Sequence, residues 1–523
     1  MAALTPSLMP RPWLIEGLIG GIGAAFGYGA GTFVSWAIRR SAVREPSPHA
    51  KRIAWRTLVV AGSVIAIGAI VLGGRWQNEI RALVGQAPEP AADLVATALV
   101  ALGVAMLTVA GSRALRRLAA WVGRALGRVI PARIAQVIGV AVVALVLYGL
   151  AAGVVFDGLV SIADSAYAGA NARTAPGVHQ PQAAERSGSP DSLVDWTTLG
   201  VRGRTFVASG PSTADLQAFS GRPAVEPIRV YVGLDSAPTA RERADLAVRE
   251  LGRAGAFDRS VLVVAGATGT GWLEPQSVDA VEYLWNGDTA IVAVQYSYLP
   301  SWISTVVDKQ DAADAGRALF DAVFAAWTSL PAEHRPKLIV YGLSLGAFAI
   351  QSAFATAGDL VARTDGALLV GGPNFSQPWA DITRTRDPGS PEWQPVYRRG
   401  RNVRFASRPA DLRHPATRWE HPRVVFLQHA GDAVVWWSPS LLARRPDWLS
   451  EPRGPDVTPR MRWFPFLTFL QVTLDQALSA SVPDGYGHNY AATIVGAWAA
   501  VVPPAGWTEA DSVRLQALID ASP

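Results

Sequence analysis

The chain has 523 residues, more than one ordinary domain requires; half of them are hydrophobic and only 17% are charged. It contains no cysteine, which excludes disulfides, thiolate metal sites and a cysteine nucleophile. The net charge of +5 comes almost wholly from arginine, and the densest basic clusters lie between hydrophobic runs. Membrane topology accounts for clusters so placed, so no nucleic-acid partner is expected.

Four hydrophobic segments come first: 13–38, 57–74, 94–111 and 134–156. Each has about 18 residues or more, enough to cross a hydrocarbon core of ~30 Å as a helix. Residues 1–160 are therefore read as a transmembrane region of four spans, with the bilayer as its first partner. Gly23, Gly27 and Gly31 recur every four residues, a spacing that lets one helix face approach a neighbour closely. The first loop carries Arg39, Arg40, Arg44, Lys51, Arg52 and Arg56; the third carries Arg113, Arg116, Arg117, Arg124, Arg128 and Arg133. The second has Arg75 and Arg81 against Glu79, Glu89 and Asp93. Basic loops stay cytoplasmic. The expectation is a multi-pass protein of the cell membrane, with its N-terminus and everything after Phe156 outside the cytoplasm.

Residues 161–200 read as a linker, rich in Ala, Pro, Gly, Ser and Gln from Asn171 to Pro190. From 201 to 523 the pattern changes. Short apolar runs recur at 228–234, 260–266, 290–296, 337–343, 366–372 and 423–429. Amphipathic stretches such as Thr239–Ala254 and Asp308–Ser329 lie between them. Strands apolar on both faces, alternating with helices, predict an α/β domain: a mainly parallel sheet flanked by helices. Chemistry in such sheets gathers at the carboxyl ends of the strands.

Gly342-Leu343-Ser344-Leu345-Gly346 follows the run LIVY and precedes a helix-compatible stretch, Ala347–Thr356. A G-x-S-x-G motif at a strand–turn–helix junction is what a nucleophile elbow requires. The serine needs a base, and the base needs a carboxylate that fixes its tautomer. Of seven histidines, only His488 lies far enough downstream for the order Ser, acid, His. Asp432 follows the run RVVFLQH within a turn and is the expected acid; Asp447 and Asp475 are rivals without a preceding strand. His429 reads as a structural histidine near that acid. For the oxyanion hole, the backbone N–H of Leu345 is one expected donor. The others are expected from Thr268, Gly269 and Thr270 in the glycine-rich loop after SVLVVAG. No Walker lysine follows that loop, and the reading calls for no cofactor and no metal.

These motifs resemble the α/β-hydrolase superfamily. More narrowly, PIRVYVGLDSAPT, ARERADLAVRELGRAGAFDR, the GTGW loop, YGLSLG, QHAGDAVVWW and DGYGHNY resemble the membrane-anchored α/β-hydrolases of actinobacteria. Those pair an N-terminal multi-span region with a C-terminal catalytic domain, and the resemblance implies a serine hydrolase. The chain departs from the general superfamily in following IRVYVGL with a long helix rather than a hairpin partner.

Two insertions, Asn374–Pro422 and Ala433–Val482, interrupt the pattern and hold many tryptophans and phenylalanines. Insertions of this length are usually lids or binding elements, or here a second small aromatic core. The arginines of the first would pair with an anionic head group or form a solvated face. The expected activity is hydrolysis of an ester of a lipid or envelope substrate through an acyl-enzyme, with acyl transfer by the same triad or a non-catalytic envelope scaffold as the alternatives.

Overall fold

The computed structural model describes residues 2–41, 47–149, 167–301, 303–304 and 309–521. The chain divides into two compact units. One comprises Met1–Ile162 together with Pro439–Leu449 and Pro455–Leu478; the other comprises Ala163–Ser438, Ser450–Gly454 and Ser479–Pro523.

The first unit is helical: α1 (Trp13–Ser41), α2 (Pro48–Leu83), α3 (Ala91–Leu126) and α4 (Ala132–Gly149). Three of these, α1, α2 and α3, are long and apolar enough to cross a membrane among the described residues. This corrects the expectation of four spans. Within the fourth segment the described helix is α4, whose 18 residues span about 27 Å, the shortest of the four. Residues 150–156 of that segment lie outside the described residues.

Both α2 and α3 run to 36 residues, about 54 Å, so each extends well beyond a bilayer core. Much of what the sequence suggests as basic loop, Lys51 to Arg56 and Arg113 to Arg124, is therefore helix. The close approach of α1 to α3 uses a different face from the one expected. A Cβ on Gly17 would sit 2.7 Å from Val100 and one on Gly21 2.6 Å from Val104, whereas Gly27 and Gly31 have nothing within 4 Å. Small residues permit helix contact in a membrane only where the neighbour stands, and here that is along Gly17 and Gly21.

The second unit is built on a seven-stranded sheet: β1 (Ile228–Val232), β2 (Val261–Gly266), β3 (Thr289–Val294), β4 (Lys337–Leu343), β5 (Gly366–Val370), β6 (Val403–Ala406) and β7 (Arg423–Leu427). The spatial order is β1-β3-β2-β4-β5-β7-β6, with every neighbouring pair parallel. The strands are buried along nearly their whole length, which is why they read as continuous apolar runs rather than alternating ones. The strand β1 joins β3 directly, with the helix Ala240–Arg253 following it.

Beside β1 run residues 185–187: Arg229 N–H donates to Glu185 O and Ser187 N–H to Arg229 O, extending the sheet by one bridge. The strand β6 lies inside the first expected insertion. It is short and carries Arg404, whose buried guanidinium donates to the carbonyls of Leu412 and Thr417. An arginine so accommodated hides a strand from any reading by hydrophobicity.

Candidate active site

At the carboxyl end of β4 the chain turns sharply into the helix Leu345–Gln351. Ser344 is the corner, with φ 57° and ψ −128°, a backbone conformation a side-chain-bearing residue adopts only under constraint. The constraint is visible. Its N–H donates 2.8 Å to Val370 O on β5, its carbonyl accepts from Ala347 N–H, and the turn is pressed between strands. A Cβ on Gly342 would stand 2.6 Å from the Gly346 carbonyl, and one on Gly346 would run into the Gly266 carbonyl of β2. These glycines let β2, β4 and the helix converge beneath the serine.

Asp432 follows β7 through the turn Ala430–Gly431 and is wholly buried. It caps the short helix Ala433–Trp436, its Oδ1 accepting from Val434 N–H at 2.9 Å. Its other oxygen, Oδ2, accepts from His488 Nδ1 at 2.7 Å and from the Tyr490 hydroxyl at 2.7 Å. A carboxylate oxygen accepts, so the His488 proton that faces it sits on Nδ1, and Nε2 is left as the basic nitrogen of the neutral ring. That Nε2 is buried and has no hydrogen-bond partner among the described residues.

The loop that carries His488 is tied down on both sides. His488 N–H donates to Ser479 O, Gly485 N–H to Asn489 O, and Asn489 Nδ2 to Val482 O. The buried helix Ala491–Val501 follows it, with Trp498 Nε1 donating to Ser277 Oγ. At the end of β5, Val370 O holds the Ser344 N–H, and a Cβ on the next residue, Gly371, would stand 2.8 Å from His488 Cε1.

His429 takes a supporting place. Its Nδ1 is 2.8 Å from Gly487 O, which can only accept, so Nδ1 carries the proton. Its ring stacks on Tyr490 with centroids 4.3 Å apart and planes 6° from parallel. Its N–H donates to the Tyr490 hydroxyl, which in turn donates to Asp432. Tyr490 and Gly371 are the members of the site that sequence reasoning passed over. The motif DGYGHNY contains the tyrosine, but nothing in its spacing separates it from a core aromatic.

The loop after β2 is held by its own bonds. Thr268 N–H donates to Trp272 O and Gly269 N–H to Ser301 Oγ, while Thr270 O accepts from Gln295 Nε2. The N–H groups of Thr268 and Gly269 are therefore engaged within the loop region. Leu345 is the first residue of the helix that follows Ser344, where backbone N–H groups lack intrahelical acceptors. Past this loop, burial pushes the Glu274 carboxyl up to about 7, with the charges of Asp279 and Asp484 adding to the effect and the Ser277 N–H opposing it. Burial, together with the nearby Glu274 charge, also holds the Tyr341 phenol well above its ordinary range.

The rival acids lie elsewhere. Asp475 belongs to the helical unit, where it binds Arg11, and Asp447 begins a short 3-10 helix in the same unit. The aromatic residues of the insertions divide in two. Trp379 and Trp436 are buried and meet edge to face at 6.0 Å, with Trp379 Nε1 donating to Gln428 Oε1, a small core beneath the end of β7. Phe466, in the helical unit, is exposed. Several arginines of the first insertion are engaged by the protein itself: Arg386 with Glu451, Arg384 with Asp381 and Arg401 with Glu420.

No curated protein and no solved structure matches the chain. Two family models do. The model described as the alpha/beta-hydrolase family N-terminus matches residues 4–211, across the helical region. A second, described as the alpha/beta-hydrolase family, matches residues 228–515, from the first strand of the sheet to the last helix. With more than half its length covered by that second model, and with a parallel sheet flanked by helices beneath it, the chain belongs to the alpha/beta-hydrolase family.

Proposed function

We propose that this protein is a membrane-bound serine hydrolase that cleaves acyl esters of a lipid or envelope substrate outside the cytoplasm. The observation that carries the reading is the 2.7 Å bond from His488 to the buried Asp432, with His488 Nε2 buried and uncommitted and Ser344 strained at the turn after β4. In this reading Ser344 Oγ attacks the ester carbonyl carbon while its proton passes to His488 Nε2. Asp432 stabilises the imidazolium that forms. Collapse of the tetrahedral intermediate breaks the carbon–oxygen bond, and the leaving alkoxide takes the proton from Nε2. Water then attacks the acyl-enzyme, giving its proton to His488, and the acid leaves as Ser344 regains its own. The N–H groups of Leu345 and Thr270 are the proposed oxyanion donors, since those of Thr268 and Gly269 are engaged.

Two observations support an external site. Arginines crowd one end of the apolar helices, at Arg39, Arg40, Arg113, Arg116 and Arg117, and basic ends face the cytoplasm. At the opposite ends, residues from 455–478 bond to Glu79 of α2 and to Arg11. Residues 455–478 belong to the insertion between Asp432 and His488, so the chain returns to that end of the helices between two residues of the proposed triad.

The test is turnover of p-nitrophenyl esters of increasing acyl length by the full-length protein in detergent. Wild type should hydrolyse them and Ser344→Ala should not. Equal rates in the two proteins would overturn the assignment.

A further inference from the structure

The helical unit contains a second feature that its spans alone do not explain. Residues 2–11 do not leave α1 for solvent; they fold back along it. Arg11 N–H donates to Gln77 Oε1 on α2, level with the point where that helix turns polar. From there the segment descends. Leu4 lies against Gly20 and Gly73, and Ala3 against Gly23. Gly23 is ten residues into α1 from Trp13, about 15 Å along the helix, and Gly73 belongs to the apolar part of α2.

The helix Leu467–Leu478 follows the same path. Near its end, the buried Asp475 accepts from Leu8 N–H at 3.0 Å and from Arg11 Nε at 3.0 Å. One turn earlier, Gln471 Nε2 donates to Thr5 O at 3.0 Å and Ala3 O at 3.4 Å. Continuing toward Leu467 therefore leads deeper, beyond the level of Ala3. The other leg begins at the polar boundary too, where Arg460 Nε pairs with Glu79 Oε2 at 2.9 Å and Thr458 donates to Glu79 Oε1. Both legs are anchored among polar groups at the end of α2. The turn joining them reads Trp463-Phe464-Pro465-Phe466-Leu467.

That tip has the two properties a bilayer demands. Phe466 is 68% exposed, Pro465 is exposed, and Trp463, Phe464, Leu467 and Phe469 are partly so. Yet every backbone N–H from Phe464 to Thr468 is satisfied inside the protein. Phe464 donates to Thr468 Oγ1, Phe466 to Leu442 O, Leu467 to Pro465 O and Thr468 to Phe464 O. Water would satisfy such groups in an aqueous loop; hydrocarbon cannot. We infer that residues 461–470 form a re-entrant hairpin whose aromatic tip is embedded in the acyl region of the leaflet on the side of the α2–α3 connection. The inference rests on α1–α3 spanning the bilayer. In the sequence the hairpin lies in the insertion between Asp432 and His488.

The chain lacks cysteine, so single-cysteine variants can be labelled directly. The experiment places a nitroxide at Phe466→Cys in the full-length protein, reconstituted in phosphatidylcholine–phosphatidylglycerol vesicles, and compares its collisions with oxygen and with a water-soluble nickel chelate. Phe33→Cys on the exposed face of α1 and Val513→Cys on the catalytic unit serve as references. A label at 466 that favours oxygen severalfold over nickel, as at 33, is the expected result. Nickel access equal to that at 513 would overturn the inference, and so would shielding from both quenchers, which would mean burial by another protein copy. Pro465→Cys repeats the test if Phe466→Cys does not fold. Fluorophosphonate labelling of the same vesicles separates the two claims. An unreactive Ser344 with an oxygen-accessible tip would count against the hydrolase and not against the hairpin.

Discussion

Tyr490 and His488 share one oxygen of Asp432: the phenol hydroxyl and the imidazole Nδ1 each stand 2.7 Å from Oδ2. The shared contact divides the work. In the proposed triad one of these donors is the base, and the other holds the carboxylate in place for it. Tyr490 is thus a positioning residue, tied in turn to the His429 backbone N–H. Replacing it, Tyr490→Phe, removes one hydrogen bond to a charged group and leaves the ring stack intact. The expected effect is a fall of about tenfold in kcat, the equivalent of ~1.4 kcal/mol, with KM unchanged. A change confined to KM would mean that the hydroxyl serves substrate binding instead.

Gly371 is the second residue on which the site geometry depends. It has φ 53°, and a Cβ there would stand 2.7 Å from Tyr490 Cε2 and 2.8 Å from His488 Cε1. Gly371→Ala therefore adds both backbone strain, about 1–3 kcal/mol, and a push on the His488 ring. Thermal unfolding should show the loss of stability, and ester turnover should fall further than unfolding alone explains. Wild-type turnover in a destabilised variant would show that the ring tolerates displacement.

Glu274 supplies a pH dependence. Its folded-state value of about 7 exceeds its ordinary 4.5 because of burial. Between those values the folded protein retains a proton that the unfolded chain has lost. Its contribution to stability is fully present below the ordinary value and is lost as pH rises toward 7. The variant Glu274→Gln cannot ionise and keeps an oxygen for the Ser277 N–H. Melting temperatures at pH 5 and pH 8 should differ less in this variant than in wild type. An unchanged difference would show that the carboxyl is solvated and unshifted.

Arg11 and Asp475 form an ion pair with both side chains fully buried. Removing one partner strands the other, at a typical cost of about 3–5 kcal/mol. Asp475→Ala should lower the detergent-phase melting temperature while leaving Ser344 reactive at temperatures below the transition. Loss of reactivity in a folded Asp475→Ala protein would instead place Asp475 in the catalytic machinery.

What could be read from the chain beforehand follows physical rules. Six of the seven strands were legible because strands of a parallel sheet, covered on both faces, are uniformly apolar. The seventh, β6, was not, because Arg404 satisfies its charge on local carbonyls and leaves no hydrophobic run. The glycines around Ser344 announce the sharp turn after β4, while the bond between Asp432 and His488 joins residues 56 positions apart. Tyr490 did not stand out, since its role comes from where two loops meet. The hairpin at 461–470 was hidden for a related reason: Asp475 and Arg11 are 464 residues apart, and no local pattern joins them.

The most direct measurement is covalent labelling of the purified full-length protein by a fluorophosphonate, which reacts with a serine only when a base activates it. Wild type should label, and Ser344→Ala and His488→Ala should not. Asp432→Asn should label slower by roughly 10³–10⁴ because the tautomer of His488 is no longer fixed. Labelling that persists in folded Ser344→Ala, or its absence from folded wild type in both detergent and lipid, would contradict the account.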